Sequence, residues 1–254
     1  MTTEELVKSI LEENFCLSVE KIPECNSKTP DFYAFNETEK YLVEVKEKGN
    51  NPEVNAGREE SFSNGQLYEI AQSIQPKTVL ENIVRAGKRQ ISNFVEDQNT
   101  FRIVWIHCVG IAYQATKDQI ISGLYGSETL VDWGIDGGFA GECYYFNDSQ
   151  FFKYRNDIDA VVVSCRNSEA QICVNNHSPR YIEFKSSSLV ETFNGGAIDP
   201  LQKEEKGLAF VVDAPIDRKN KDAVLDYLKE KHNTNKLMVM PMQHFEAHFS
   251  VPHE

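Results

Sequence analysis

The sequence lacks the features that mark several classes of protein. None of its six cysteines forms a Cys-x-x-Cys pair, which structural zinc sites usually contain, so we expect reduced, buried thiols. No run of 18 apolar residues occurs, and a membrane-spanning helix would need one. There is also no basic excess, since the net charge is −13. That charge argues against a generally basic surface, although a local basic patch remains compatible with it.

The chain shows neither an internal repeat nor a linker that would divide it. Its 254 residues suit one large domain or two small ones, and we predict a single globular domain over 1–254. The stretch "MTTEELVKSILEEN" is acidic and lacks the basic start and apolar middle of a secretory leader. We therefore expect a cytoplasmic protein.

Apolar periodicity divides the first 110 residues into a helix, three strands, a second helix and a further strand. The predicted elements are a helix over 3–14 capped by Thr3, strands over 15–22, 31–35 and 40–45, a helix over 77–95 and a strand over 101–109. The polar segment 47–75 is an insertion with a short helical pattern near 65–74. Residues 111–254 are predicted to extend this core as further α/β structure, including a strand at "RYIEFK".

The stretch "TPDFYAFNETEKYLVEVKEK" places charges inside an apolar strand. Side chains alternate along a strand, so Glu44 and Lys46 point to the same face, roughly 7 Å apart. Pairing of strand 31–35 with strand 40–45 through the turn "NETE" could bring Asp31 near Glu44. Buried charges are costly unless paired or bound to a metal, and two carboxylates suit a divalent cation such as Mg²⁺.

The Pro-Asp pair followed by "EVK" resembles the motif of the PD-(D/E)xK, or restriction-endonuclease-like, nucleases. That resemblance implies an α/β fold with a mixed central sheet flanked by helices, whose core runs helix, three strands, helix, strand. It implies Asp31 and Glu44 as ligands of Mg²⁺ or Mn²⁺ and Lys46 as the catalytic lysine. The implied activity is hydrolysis of phosphodiester bonds, with DNA as the expected substrate, in restriction, phage defence or repair.

Two further residues match features of this superfamily. Many members carry a glutamate in the first helix near the metal, and Glu4 is the better match here, with Glu5 as the alternative. Many also carry a glutamine late in the second helix, which "RAGKRQ" supplies as Gln90. The helical wheel places Gln90 beside Ile83 on the inward face.

A basic arc on the second predicted helix is a candidate nucleic-acid contact, because cationic side chains bind phosphates. The alternative is a solvated helix side. Members of the superfamily often form dimers that cut both DNA strands, so a homodimer is compatible with the sequence. The sequence shows no recognisable dimer interface. The arc consists of Lys77, Arg85, Lys88 and Arg89.

Alternative interpretations remain open at this stage. Glu44 and Lys46 could be solvent-facing charges on an edge strand, a common protection against aggregation. The chain contains a second aspartate followed by a Glu-x-Lys sequence, namely Asp159, Glu183 and Lys185. This set lacks flanking helices, and we expect it to be a surface strand with solvated charges. The whole chain could also be an inactive module that binds nucleic acid or a protein partner, or an enzyme of another class that uses residues 158–214.

Overall fold

The computed structural model describes residues 1–23, 29–73, 78–94, 99–134, 138–167, 169–240 and 246–251. Helices and strands alternate through most of this length. The helices are α1 (Thr3–Glu13), α2 (Pro52–Ser63), α3 (Thr78–Ser92), α4 (Tyr113–Tyr125), α5 (Gln150–Lys153), α6 (Tyr181–Phe184), α7 (Ser188–Thr192), α8 (Pro200–Glu205) and α9 (Lys221–Lys231).

The strands form three sheets within the described residues. They are β1 (Ser18–Lys21), β2 (Phe32–Phe35), β3 (Lys40–Lys48), β4 (Tyr68–Ser73), β5 (Phe101–Cys108), β6 (Glu128–Asp132), β7 (Phe139–Tyr144), β8 (Ala160–Cys165), β9 (Ala170–Val174), β10 (Ala197–Ile198), β11 (Ala209–Val211), β12 (Leu237–Val239) and β13 (Glu246–Val251). The sheet orders are β1-β2-β3-β5-β8-β9-β10, β11-β7-β6-β12 and β13-β4.

The seven-stranded sheet is mixed. Strands β3, β5 and β8 run parallel at its centre, whereas β1, β2 and β3 pair antiparallel as consecutive strands. Helix α1 packs on one face of this sheet, and α3 and α4 pack on the other. The protein is therefore an α/β fold with a mixed central sheet flanked by helices, as predicted.

The alternating pattern of β3 explains how it contributes to both cores. Tyr41, Val43 and Val45 belong to the apolar cluster beneath α1, and Leu42 belongs to the cluster beneath α3. Because β3 lies between β2 and β5 and Glu44 is fully buried, the interpretation as an edge strand with solvent-facing charges is wrong.

The first helix begins at Thr3 as predicted, but its cap is Thr2, one residue before the predicted cap. The side chain of Thr2, not Thr3, accepts a hydrogen bond from the Glu5 amide, and the Glu5 carboxylate accepts one from the Thr2 amide at 2.7 Å. This reciprocal capping box satisfies amides that the first helical turn leaves unpaired. Val7 and Leu11 then anchor α1 in the core.

Two predicted elements differ in type from those observed. The segment near 65–74 forms strand β4 rather than a helix, because it pairs antiparallel with β13 from the far end of the chain. The helix of the insertion is α2, which lies earlier and buries no side chain. The predicted strand "RYIEFK" is the short helix α6, whose buried residues Tyr181 and Phe184 are three apart, as on one face of a helix.

Two other features agree with the composition. Cys108, Cys143, Cys165 and Cys173 are buried free thiols, whereas Cys16 is exposed. None of the helices in the described segments is both long and apolar enough to cross a membrane.

Candidate functional site

The Pro-Asp motif places Asp31 directly opposite Glu44. Phe32 pairs with Val43 across the antiparallel strands β2 and β3, and the amide of Asp31 extends this ladder by donating to the Val43 carbonyl at 3.1 Å. The Asp31 side chain then turns back to β3, where Oδ2 accepts a hydrogen bond from the Val45 amide at 2.7 Å. Asp31 is thus fixed by the backbone at both its amide and its carboxylate.

The Glu44 carboxyl is fully buried, and its two oxygens have different surroundings. Oε1 forms an ion pair with the ammonium of Lys46. Oε2 is buried and has no hydrogen-bond donor among the described residues, unless the Asp31 and Glu44 carboxyls share a proton between them. An unsatisfied buried carboxylate oxygen is costly, so this atom is suited to a partner from outside the chain.

The pKa values of both facing carboxyl groups are raised, chiefly by burial. Burial raises the pKa of Glu44 to about 8, against the opposing effect of Lys46 and with the help of the neighbouring Asp31. Burial also raises the pKa of Asp31, despite its bond to the Val45 amide. Two ionised carboxylates can only accept hydrogen bonds, so the pair is stable with a shared proton or with a bound cation.

Gln90 holds Lys46 in position. The Lys46 Nζ donates to the Gln90 Oε1 at 2.9 Å, and the Gln90 Nε2 donates to the Thr29 carbonyl at 3.0 Å. Since Lys46 is only a donor and a carbonyl is only an acceptor, one orientation of the amide satisfies both bonds. Gln90 therefore links helix α3 to the lysine and to the residue two positions before Asp31.

Gly87 allows helix α3 to approach this closely. A Cβ atom at this position would lie 2.8 Å from the Val104 Cγ1 atom and 3.5 Å from the Glu44 Cγ atom. Val104 is the β5 neighbour of Glu44 in the sheet. The glycine in "RAGKRQ" thus brings Gln90 within reach of Lys46.

Glu4 lies near the pair but already has a partner. Its Oε2 atom is 2.8 Å from the Lys21 Nζ atom, and its negative charge contributes to the raised pKa of Asp31 after the effect of burial. Glu5, the alternative, is exposed and caps α1 through the Thr2 amide. Of the two glutamates, Glu4 is the one whose charge acts on Asp31.

The donor set fits a small hard cation with water in its coordination sphere. In the segments that the structure describes, no group of three or more His, Cys, Asp or Glu side chains is arranged to hold a metal ion. Mg²⁺, however, is commonly bound through one or two carboxylates and keeps several waters. The Asp31 and Glu44 carboxyls, with the unsatisfied Glu44 Oε2 atom, meet that requirement.

The predicted basic arc is only partly available for a ligand. Arg85 and Arg89 are exposed on α3, whereas the Lys88 Nζ atom lies 3.4 Å from the Asp157 Oδ1 atom in a half-buried ion pair. Lys77 lies outside the described residues. The arc therefore presents two exposed guanidinium groups beside the helix turn that carries Gln90.

The second acidic set is not a surface strand. Asp159 is almost fully buried and pairs with the Arg180 guanidinium at 2.6 Å, while its Oδ2 also accepts from the Arg102 amide at 2.7 Å. Glu183 and Lys185 are exposed on and beside helix α6, away from Asp159. The expectation that Asp159 would be solvated is wrong, because Arg180 and the Arg102 amide satisfy its charge inside the fold.

A cleft of about 1040 Å³ lies in the C-terminal half, lined in part by Asp132, Phe210 and His232. The Asp132 carboxylate there accepts bonds from the Gly134 amide at 2.7 Å and the Thr234 hydroxyl at 2.8 Å. Its carboxylate is thus occupied by the fold itself. The His232 Nε2 atom, in contrast, is buried without a hydrogen-bond partner among the described residues and lies 3.4 Å from the Glu204 Oε1 atom.

Sequence reasoning did not identify Lys21, which the structure places against Glu4. Lys21 pairs with Phe32, which packs beneath α1, so its side chain lies on the α1 face of the sheet. No protein-family model matches the chain, and no curated protein or solved structure matches it either.

Proposed function

We propose that the protein is a Mg²⁺- or Mn²⁺-dependent nuclease of the restriction-endonuclease-like type that hydrolyses phosphodiester bonds in DNA. The order α1, β1, β2, β3, α3, β5 supports this fold assignment, with α2 and β4 as an insertion between β3 and α3. The observation that carries the proposal is the buried Glu44 carboxyl, with Lys46 on one oxygen and no donor from the described chain on the other.

Each residue has a defined task in this proposal. Asp31 and Glu44 would hold the cation, and the Val45 amide orients the Asp31 carboxylate for that purpose. A bound Mg²⁺ or Mn²⁺ would supply a Lewis acid and lower the pKa of a coordinated water. Gln90 holds the Lys46 ammonium, which donates hydrogen bonds to the attacking water or to the phosphate oxygens as negative charge develops on them.

Cleavage of DNA by the purified protein is the first test. Supercoiled plasmid and single-stranded DNA are incubated with the wild type in Mg²⁺, in Mn²⁺ and in EDTA, beside Asp31→Asn and the exposed control Glu183→Gln. We expect cleavage by the wild type and the control only with a divalent cation. Asp31→Asn is expected to reduce Mn²⁺ affinity more than about 100-fold, above the usual effect of removing an outer-sphere partner.

The alternative is an inactive module that binds nucleic acid or a protein partner. The ion pair between Glu4 and Lys21 is the observation compatible with this alternative. Calorimetry with Mn²⁺ distinguishes the two. If the wild type binds no Mn²⁺ and cleaves neither substrate, the nuclease proposal fails and the alternative is favoured.

A further inference from the structure

A second cleft, of about 520 Å³, lies at the hairpin that joins β2 and β3, and its lining includes Tyr33, Phe35 and Lys40. Side chains alternate along a strand, so Tyr33 and Phe35 point to the same face of the sheet as Asp31. Lys40 pairs with Phe35 across the hairpin and points to the face that carries Glu44. The cleft therefore continues the face on which the two carboxyl groups lie.

Two aromatic rings extend from the candidate site into this cleft. Tyr33 lies two residues from Asp31 along the strand, which places the two side chains roughly 7 Å apart. The Tyr33 ring packs against the Phe94 ring, with centroids 6.1 Å apart, and the Lys40 Nζ atom lies 4.3 Å from the Tyr33 centroid. Tyr33 is thus held in place, and the half-buried Phe35 is the next ring along that face.

The charges around the cleft favour an uncharged base rather than a phosphate inside it. The exposed carboxylates of Glu20 and Glu37 also line it, and Glu20 pairs with Tyr33 across β1 and β2. Carboxylates repel a phosphate but accept hydrogen bonds from the amino groups on base edges. The contact of the exposed Lys40 ammonium with the Tyr33 ring is weak at such a site, so this ammonium can turn to a phosphate outside the cleft.

We infer that this cleft binds one unpaired base of the nucleic-acid strand next to the cleaved bond, with Phe35 stacked on the base and Lys40 on its phosphate. This inference rests on the proposed nuclease function and adds that the substrate is single-stranded or locally unpaired. A base inside a duplex is stacked and paired, so it cannot present its face to a side chain. Every base has a face that can stack, so the contact selects an unpaired strand rather than a sequence.

The test measures binding without cleavage, in a Lys46→Met background with Mg²⁺. Fluorescence anisotropy compares a labelled single-stranded oligonucleotide with a blunt duplex of the same sequence. We expect Phe35→Leu to reduce the affinity for the single strand by at least about 5-fold, the lower range for loss of one base stack, and to leave the affinity for the duplex unchanged. Lys40→Met should reduce the steepness of log K against log salt for the single strand by about 0.7.

Two further variants serve as controls. Phe35→Tyr keeps an aromatic ring and should bind the single strand like the background protein. Phe152→Leu removes a ring that is 55% exposed on α5, and it should leave both affinities unchanged. Circular dichroism verifies that each variant is folded.

Unchanged single-strand affinity in folded Phe35→Leu, or an equal loss of affinity for the duplex, would overturn the inference. The nuclease function, judged by cleavage with the wild type, would stand in either case. Absence of any oligonucleotide binding by the background protein would also overturn the inference. If the wild type cleaves no substrate while single-strand binding still depends on Phe35, the nuclease function fails and the base site stands.

Discussion

Lys46→Met is expected to reduce metal-dependent DNA cleavage by about 10²–10³-fold, the usual effect of removing one group that stabilises developing charge. Lys46 is the ammonium that the structure places against the buried Glu44 carboxyl and the Gln90 amide. Its removal leaves the proposed cation ligands Asp31 and Glu44 in place, so Mn²⁺ binding should persist. Initial rates of plasmid nicking and calorimetry with Mn²⁺ measure the two effects separately.

The control for this variant is Lys185→Met, which alters the exposed Glu-x-Lys set and should cleave like the wild type. The Lys46→Met protein should remain folded at pH 7, because Glu44 can hold a proton once its ammonium partner is lost. Its circular dichroism and urea unfolding curve verify this. Full activity in folded Lys46→Met would contradict the role assigned to the lysine.

The metal-free protein is expected to lose stability as pH rises. The pKa of Glu44 is raised by burial from its ordinary value of 4.5 to about 8, so between these pH values the folded state retains a proton that the unfolded state has released. Stability is therefore fully present below pH 4.5 and is lost progressively as pH rises through 8. The expected decrease in the free energy of unfolding is on the order of 5 kcal/mol.

Urea unfolding in EDTA at a series of pH values measures this decrease. Glu44→Gln replaces the carboxyl by a neutral amide of similar size and should remove this component of the pH dependence, whereas Glu183→Gln, at an exposed position, should retain it. Saturating Mg²⁺ should reduce the decrease in the wild type, because a bound cation replaces the proton. Identical pH profiles for wild type and Glu44→Gln would show that Glu44 is ionised in the metal-free protein.

Local periodicity was sufficient to place most of the candidate site. Alternation along a strand places Glu44 and Lys46 on one face, and the turn over 36–39 sets the hairpin register that brings Asp31 opposite Glu44. Helical periodicity places Gln90 on the inward face of α3. These three arguments use patterns within one strand, one hairpin and one helix, where one local geometry dominates.

The features that the sequence did not predict depend on distant parts of the chain. β4 is a strand because β13 pairs with it, and no local pattern indicates a partner about 175 residues away. Asp159 is buried because Arg180 and the Arg102 amide neutralise it. The apolar spacing of "RYIEFK" suits a strand, but Tyr181 and Phe184 bury themselves as one face of a helix instead.

The location of Mn²⁺ in crystals of the wild-type protein tests the central claim most directly. Anomalous scattering at the manganese edge should show one ion between the Asp31 and Glu44 carboxylates, within coordinating distance of the Glu44 Oε2 atom. The same soak of Asp31→Asn crystals should show no ion there. A wild-type structure whose manganese lies elsewhere, with Glu44 still bound only to Lys46, would contradict the account.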